Sequence, residues 1–188
     1  MERSFEAVLV EQCATTLAGV KPASLFRYQG ADQRQSREAA ARWAKELAPY
    51  GITVRILKVC PQTGACLIYL YRAGWLRSIL SEPSTRAFLA GQGYGADQSC
   101  QELLRQLSRR LCLGREFPHE IGVFLGYPLE DVVGFIENRG RNYTCCGCWK
   151  AYGDPEAARR RFDQYRRCTA ACKERFRRGA PITQLIAA

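Results

Sequence analysis

The sequence predicts a helix-rich α+β fold with a small, mainly antiparallel sheet and a long basic C-terminal helix. Three observations predict it. Most segments space their apolar residues by three and four, the step of a helix with one buried face. Residues 52–71 break that rhythm with an alternating stretch, a tight turn and a run that is apolar at every position, the pattern of a β-hairpin. After Asp154-Pro155-Glu156, a helix start built of cap, proline and acid, nothing interrupts the chain until Gly179. A length of 188 residues, 47% hydrophobic and 24% charged, suits one compact domain over 1–188.

The elements follow in order. Residues 4–18 place Phe5, Val8, Leu9 and Leu17 at helical spacing, with Ser4 available as cap and Gly19 as stop. Lys21-Pro22 begins a turn, and 23–28 is a short extended piece. Residues 34–49 form a second helix with Ala40, Trp43, Ala44 and Leu47 on one face, ended by Gly51. Ile52, Val54 and Ile56 alternate with Thr53 and Arg55, and less cleanly with Lys58, as in a half-buried strand over 52–59. Pro61–Gly64 turns the chain. Residues 65–72 read as a strand covered on both faces. Short helices are expected within 75–90, a glycine-rich flexible loop at 91–97, and a helix capped by Asp97 that turns Leu103, Leu104, Leu107 and Leu111 inward. Pro118 and the Gly126-Tyr127-Pro128 break outline two more helices before Gly140. Residues 143–151, rich in cysteine and aromatics, are expected to be the sheet's third strand. The last helix, 154–178, keeps Ala158, Phe162, Tyr165, Thr169, Cys172 and Phe176 on one face and is expected to pack across the sheet.

Charge is concentrated in that last part. The chain carries +10, and residues 139–178 hold 12 Lys or Arg against 4 Asp or Glu, a net +8. Arg159, Arg160, Arg161, Arg166, Arg167, Lys173, Arg175, Arg177 and Arg178 supply most of it. Such a field attracts an anionic partner, either an acidic protein or nucleic acid. No apolar run is long enough for a membrane helix, and the acidic N-terminus is not a secretory signal. The expected setting is a soluble, cytoplasmic one, with no membrane partner and with reduced thiols.

Ten cysteines make the chain cysteine-rich. Cys145, Cys146 and Cys148 crowd into NYTCCGCWKAYGD beside Trp149 and Lys150; Cys168 and Cys172 lie one turn apart on the last helix. Packing alone accounts for such thiols. Four converging thiolates would instead suit zinc or an iron–sulfur site, and positive surroundings would favour reactive thiolates. No pair of C-x-x-C knuckles is present. On a strand Cys146 and Cys148 share one face and Cys145 takes the other. Cys13, Cys60, Cys66, Cys100 and Cys112 are weaker candidates.

His119-Glu120 matches the start of a zinc-protease motif, but His119 is the only histidine. No catalytic residue can be assigned, and the chain is read as an enzyme on no motif. EIGVFLGYPLEDVVGFIENRG has the rhythm of a helix-turn-helix. Its second helix carries Glu130, Asp131 and Glu137, acids that DNA phosphates would repel.

HEIGVFLGYPLEDVVGFI and CCGCWKAYGD, with CATTLAGVKPASLF near the start, resemble an uncharacterised bacterial family, domain-of-unknown-function family 3793, found largely in anaerobic Firmicutes. The resemblance covers most of the chain and implies no activity or cofactor. It does imply that the position of Cys148 is often tyrosine, which favours Cys145, Cys146 and Cys168, together with Cys13, as a metal or redox set. It also implies a place in iron or redox physiology, near flavodoxin. The expected function is an accessory protein that docks an acidic, flavodoxin-like partner through the basic helix. The alternatives are a cysteine-dependent redox or metal-binding protein, with zinc or iron, and a nucleic-acid binder. Lys21, Lys150 and His119 await placement relative to a pocket.

Overall fold

The computed structural model describes residues 3–114 and 116–187. The chain forms two compact units, Met1–Trp75 with Arg167–Ala188, and Leu76–Arg166.

The first unit is built on a three-stranded antiparallel sheet. Its helices are α1 (Phe5–Leu17) and α2 (Gln33–Leu47), and its strands are β1 (Ala23–Tyr28), β2 (Ile52–Val59) and β3 (Cys66–Arg72), in the order β1-β3-β2. The central position of β3 explains its unbroken apolar sequence. Ile68 and Leu70 bury on one face, Tyr69 and Tyr71 on the other, where the two rings stack with centroids 4.9 Å apart. In β2 the register slips between Ile56 and Lys58, so Leu57 is the extra residue of a bulge. That bulge is why the alternation frays at Lys58. Ser4 caps α1 by accepting from the Ala7 amide at 3.2 Å. At its other end the Arg72 guanidinium donates to the carbonyls of Thr16 (2.9 Å) and Leu17 (2.7 Å), which satisfies groups that a helix terminus leaves unpaired. The core runs from Phe5, Leu9 and Leu17 through Phe26, Ile68 and Leu70 to Cys172.

The third strand is therefore 23–28, not 143–151. Residues 143–151 do not join this sheet. They contain β4 (Cys145–Cys146) and β5 (Lys150–Ala151), which pair only with each other. The chain turns back at Gly147–Trp149 before it is long enough to be a sheet strand.

The second unit carries α4 (Pro83–Gly91), α5 (Cys100–Leu113), α6 (Ile121–Phe124), α7 (Leu129–Glu137) and the β4–β5 hairpin, preceded by α3 (Ala73–Ser81), which begins at the end of β3. Leu103, Leu104, Leu107 and Leu111 of α5 are buried as their spacing requires. Its cap is Ser99 rather than Asp97. Ser99 accepts from the Glu102 amide while the Glu102 carboxylate accepts from the Ser99 amide at 2.8 Å, a reciprocal capping box. The 91–97 loop is pinned by Tyr94, which is buried and donates to Glu120. Helices α6 and α7 pack tightly because Gly122 has no side chain; a Cβ there would stand 2.7 Å from Val132.

Helix α8 (Pro155–Arg177) starts in the second unit and ends in the first. Gly179, at φ +91°, stops it. The arrangement is a helix-rich α+β fold with a small antiparallel sheet and a long basic last helix. Among the described residues no helix is long and apolar enough to cross a membrane.

Candidate functional site

In the second unit the β4–β5 hairpin lies against α7 and the first half of α8. Trp149 is the hub. Its ring stacks on Tyr127 (5.0 Å), meets Phe162 edge-on (4.5 Å) and leans on Tyr165 (6.0 Å). Its indole N–H donates to Asp131 Oδ2 at 2.7 Å. Asp131, buried in the first turn of α7, also accepts from the backbone amides of Tyr152 (2.7 Å) and Gly153 (3.0 Å) through Oδ1. One carboxylate thus fixes the hairpin's aromatic anchor and the chain leading into α8. The acids of α7 that argue against a DNA-reading helix therefore include one that is not on the surface at all.

The hairpin's side chains alternate. Cys145, Trp149 and Ala151 pack in the small core with Ala158 and Phe162, whereas Cys146 and Cys148 are exposed. Cys145 and Cys146 thus point to opposite faces. Burial, reinforced by the neighbouring Cys148 and Tyr165, pushes the Tyr127 phenol up to about 12, and burial also raises Tyr165. Lys150, opposite Cys146 in the register, donates to the Gly140 carbonyl at 2.7 Å and sits 4.9 Å over the Tyr143 ring. A small cavity of about 100 Å³ lies beside Asp131, Trp149, Asp154 and Arg161.

The remaining candidate cysteines belong to the first unit. Cys13 is fully buried, and desolvation raises its thiol strongly, outweighing the opposing charge of half-buried Lys21. Cys168 and Cys172 lie together, Cys172 in the core and Cys168 at its edge. Burial and the contact with Cys172 push Cys168 up to about 11. Among the described residues no three His, Cys, Asp or Glu side chains gather into a group that could hold a metal ion.

His119 and Glu120 serve different surroundings. Glu120 is buried and accepts from Tyr94 (3.1 Å) and from Arg110 (2.7 Å). His119 is exposed, between the rings of Phe117 (5.8 Å) and Phe135 (4.9 Å). Both border an open cleft of about 310 Å³ with Arg110, Phe117 and Ile136.

The basic residues of α8 divide by pairing. Arg160 lies near Asp154 and Glu156, Arg166 pairs with Asp163, Lys173 reaches Glu11, and Arg177 and Arg178 share Glu174. Arg175 donates to the Gln184 carbonyl. Arg159, Arg161 and Arg167 are exposed, and no carboxylate pairs with them among the described residues.

One cysteine that the sequence ranks among the weaker candidates has a perturbed thiol. Cys60 heads the β2–β3 turn, where the Thr63 hydroxyl, the amides of Thr63 and Gln62 and the charge of Arg27 together lower its thiol. The signal was the C-P-Q-T-G turn itself, since a hydroxyl three residues on can reach back to the turn's first side chain.

Fold and site define a helix-rich α+β protein with a thiol-bearing hairpin and an arginine-rich helix. The model of a family described as "Protein of unknown function (DUF3793)" matches residues 9–186, and the chain belongs to that family. No curated protein and no solved structure matches it.

Proposed function

We propose that this protein is a binding protein that docks an acidic protein partner through the arginines of α8. The observation that carries the reading is that Arg159, Arg161 and Arg167 are exposed without a carboxylate partner among the described residues, in a segment of net +8. Cations already neutralised by neighbours add little to a long-range field, whereas unpaired ones steer an acidic surface toward the helix and are screened by salt. In its most concrete form the partner is a flavodoxin-like electron carrier, which would place the protein in iron or redox metabolism.

The test is titration with an acidic flavodoxin at low and at moderate salt, with wild type and with R159E/R161E/R167E. The reading expects binding that weakens about tenfold or more as ionic strength rises past 0.1 M, and that the triple variant abolishes. No binding at low salt removes the flavodoxin-like partner. Retention on DNA with a steep salt slope, and none on acidic protein, would make the partner a nucleic acid.

A further inference from the structure

We propose that Cys146 and Cys148 form a redox-active dithiol that exchanges with an organic disulfide. The proposal does not depend on the docking reading; it rests on the geometry of the hairpin tip.

Residues 145, 147, 149 and 151 all turn toward the small core. Cys145, Trp149 and Ala151 pack there, and a Cβ built on Gly147 would collide with the Phe162 ring. The chain bends over residues 147–149, and Cys146 and Cys148 flank Gly147 at that tip. Both cysteines are exposed, and both are free thiols. Two virtual bonds of about 3.8 Å separate their Cα atoms, which keeps them near or within the roughly 4.4–6.8 Å that a disulfide spans.

The other cysteines lack this combination. Cys145 and Cys146 are adjacent but face opposite ways. Cys13, Cys66 and Cys172 are buried, and Cys168 is partly so. Gly147 is what makes the pair possible, because only a residue without a side chain lets the tip lie on Phe162 with a thiol on each side.

The chemistry closes without a further reactant. One thiolate, Cys146 Sγ or Cys148 Sγ, attacks a sulfur of the partner disulfide, forms a mixed disulfide and expels one partner thiolate, which takes up a proton. The second cysteine gives up its proton and attacks the mixed disulfide. A Cys146–Cys148 disulfide results, and the second partner thiol leaves. The protein loses two electrons and two protons, and the partner disulfide gains them. A disulfide closed over one intervening residue is strained and exposed, so it returns its oxidising equivalents readily.

The experiment treats the reduced full-length chain with glutathione disulfide, quenches with acid and alkylates the remaining thiols. Mass spectrometry then reads the tryptic peptide 142–150. Wild type and Cys145→Ser are expected to yield an internal disulfide, with both Cys146 and Cys148 protected in C145S. Cys146→Ser and Cys148→Ser should stop at a glutathione adduct. Tryptophan fluorescence, read in a Trp43→Phe/Trp75→Phe background that leaves Trp149 as the reporter, confirms that each variant keeps the hairpin. A C145S peptide that stays a dithiol, or carries glutathione on both sulfurs, overturns the proposal. So does closure that survives in C148S, which would assign the bond to Cys145 and Cys146.

Discussion

Trp149 and Asp131 are joined by a 2.7 Å hydrogen bond between two buried side chains eighteen residues apart in sequence. The same carboxylate takes two backbone amides at the entrance to α8. Asp131→Ala would leave three donors in or near the interior without an acceptor, each costing about 1–3 kcal/mol. The expected loss is about 3 kcal/mol or more of unfolding free energy. Asp131→Asn keeps the Oδ1 contacts but turns an amide toward the indole N–H, and should fall between. Urea titration followed by tryptophan fluorescence orders the three proteins. Equal stability of wild type and D131A would mean that the bond contributes nothing.

Gly147→Ala should destabilise the second unit by about 1–3 kcal/mol, because the new methyl enters space held by the Phe162 ring. Phe162→Leu in the same chain should recover part of that loss while costing something by itself. Thermal unfolding of both single variants and the double variant measures the interaction. Additive effects would show that residue 147 and the ring do not meet.

These two contacts also mark where the sequence stops being readable. The β2–β3 hairpin and the start of α8 were legible because their determinants are local: an alternating strand, a four-residue turn, and an Asp154 side chain that caps its own helix at the Glu156 amide, 2.8 Å away. The third strand was misplaced for the opposite reason. Residues 23–28 are few and sit on a sheet edge, so only pairing with β3 identifies them. Residues 143–151 have the composition of a strand, but Gly147 and the Asp131 clamp fold them back on themselves. Nothing near position 131 announces that its carboxylate is internal. Cys60 ranks low in the sequence because part of what lowers its thiol is Arg27, brought in by the fold. The basic stripe of α8 was visible as charge, yet which arginines lack partners depends on where the helix carboxylates point.

Thiol labelling should follow this geometry. Cys60, whose thiol is lowered by turn donors and Arg27, should alkylate well ahead of Cys13, whose thiol is buried and raised. The thiolate is the reacting form, so the gap should narrow as pH rises toward the ordinary cysteine value, about 8.5. Thr63→Val removes a donor and should slow Cys60 selectively. Timed alkylation with peptide mapping reads each site. Cys13 labelling as fast as Cys60 in the folded protein would contradict the burial of α1 against the sheet.

Alkaline pH should weaken the second unit through Tyr127. Its phenol titrates near 10 in an unfolded chain and is pushed up to about 12 by burial beside Cys148 and Tyr165. The folded state therefore holds a proton that the unfolded state releases. This contribution is fully present below pH 10 and is lost as pH rises from about 10 to 12, up to roughly 3 kcal/mol in all. Tyr165 is raised by its own burial and adds a slope of the same sign. Tyr127→Phe keeps the ring against Trp149 and removes the titration. Its stability should fall less steeply over that interval than wild type's, whatever the substitution costs at neutral pH. Urea midpoints at pH 8, 10 and 11 for both proteins give the slopes, and parallel curves would show that this phenol titrates alike in both states.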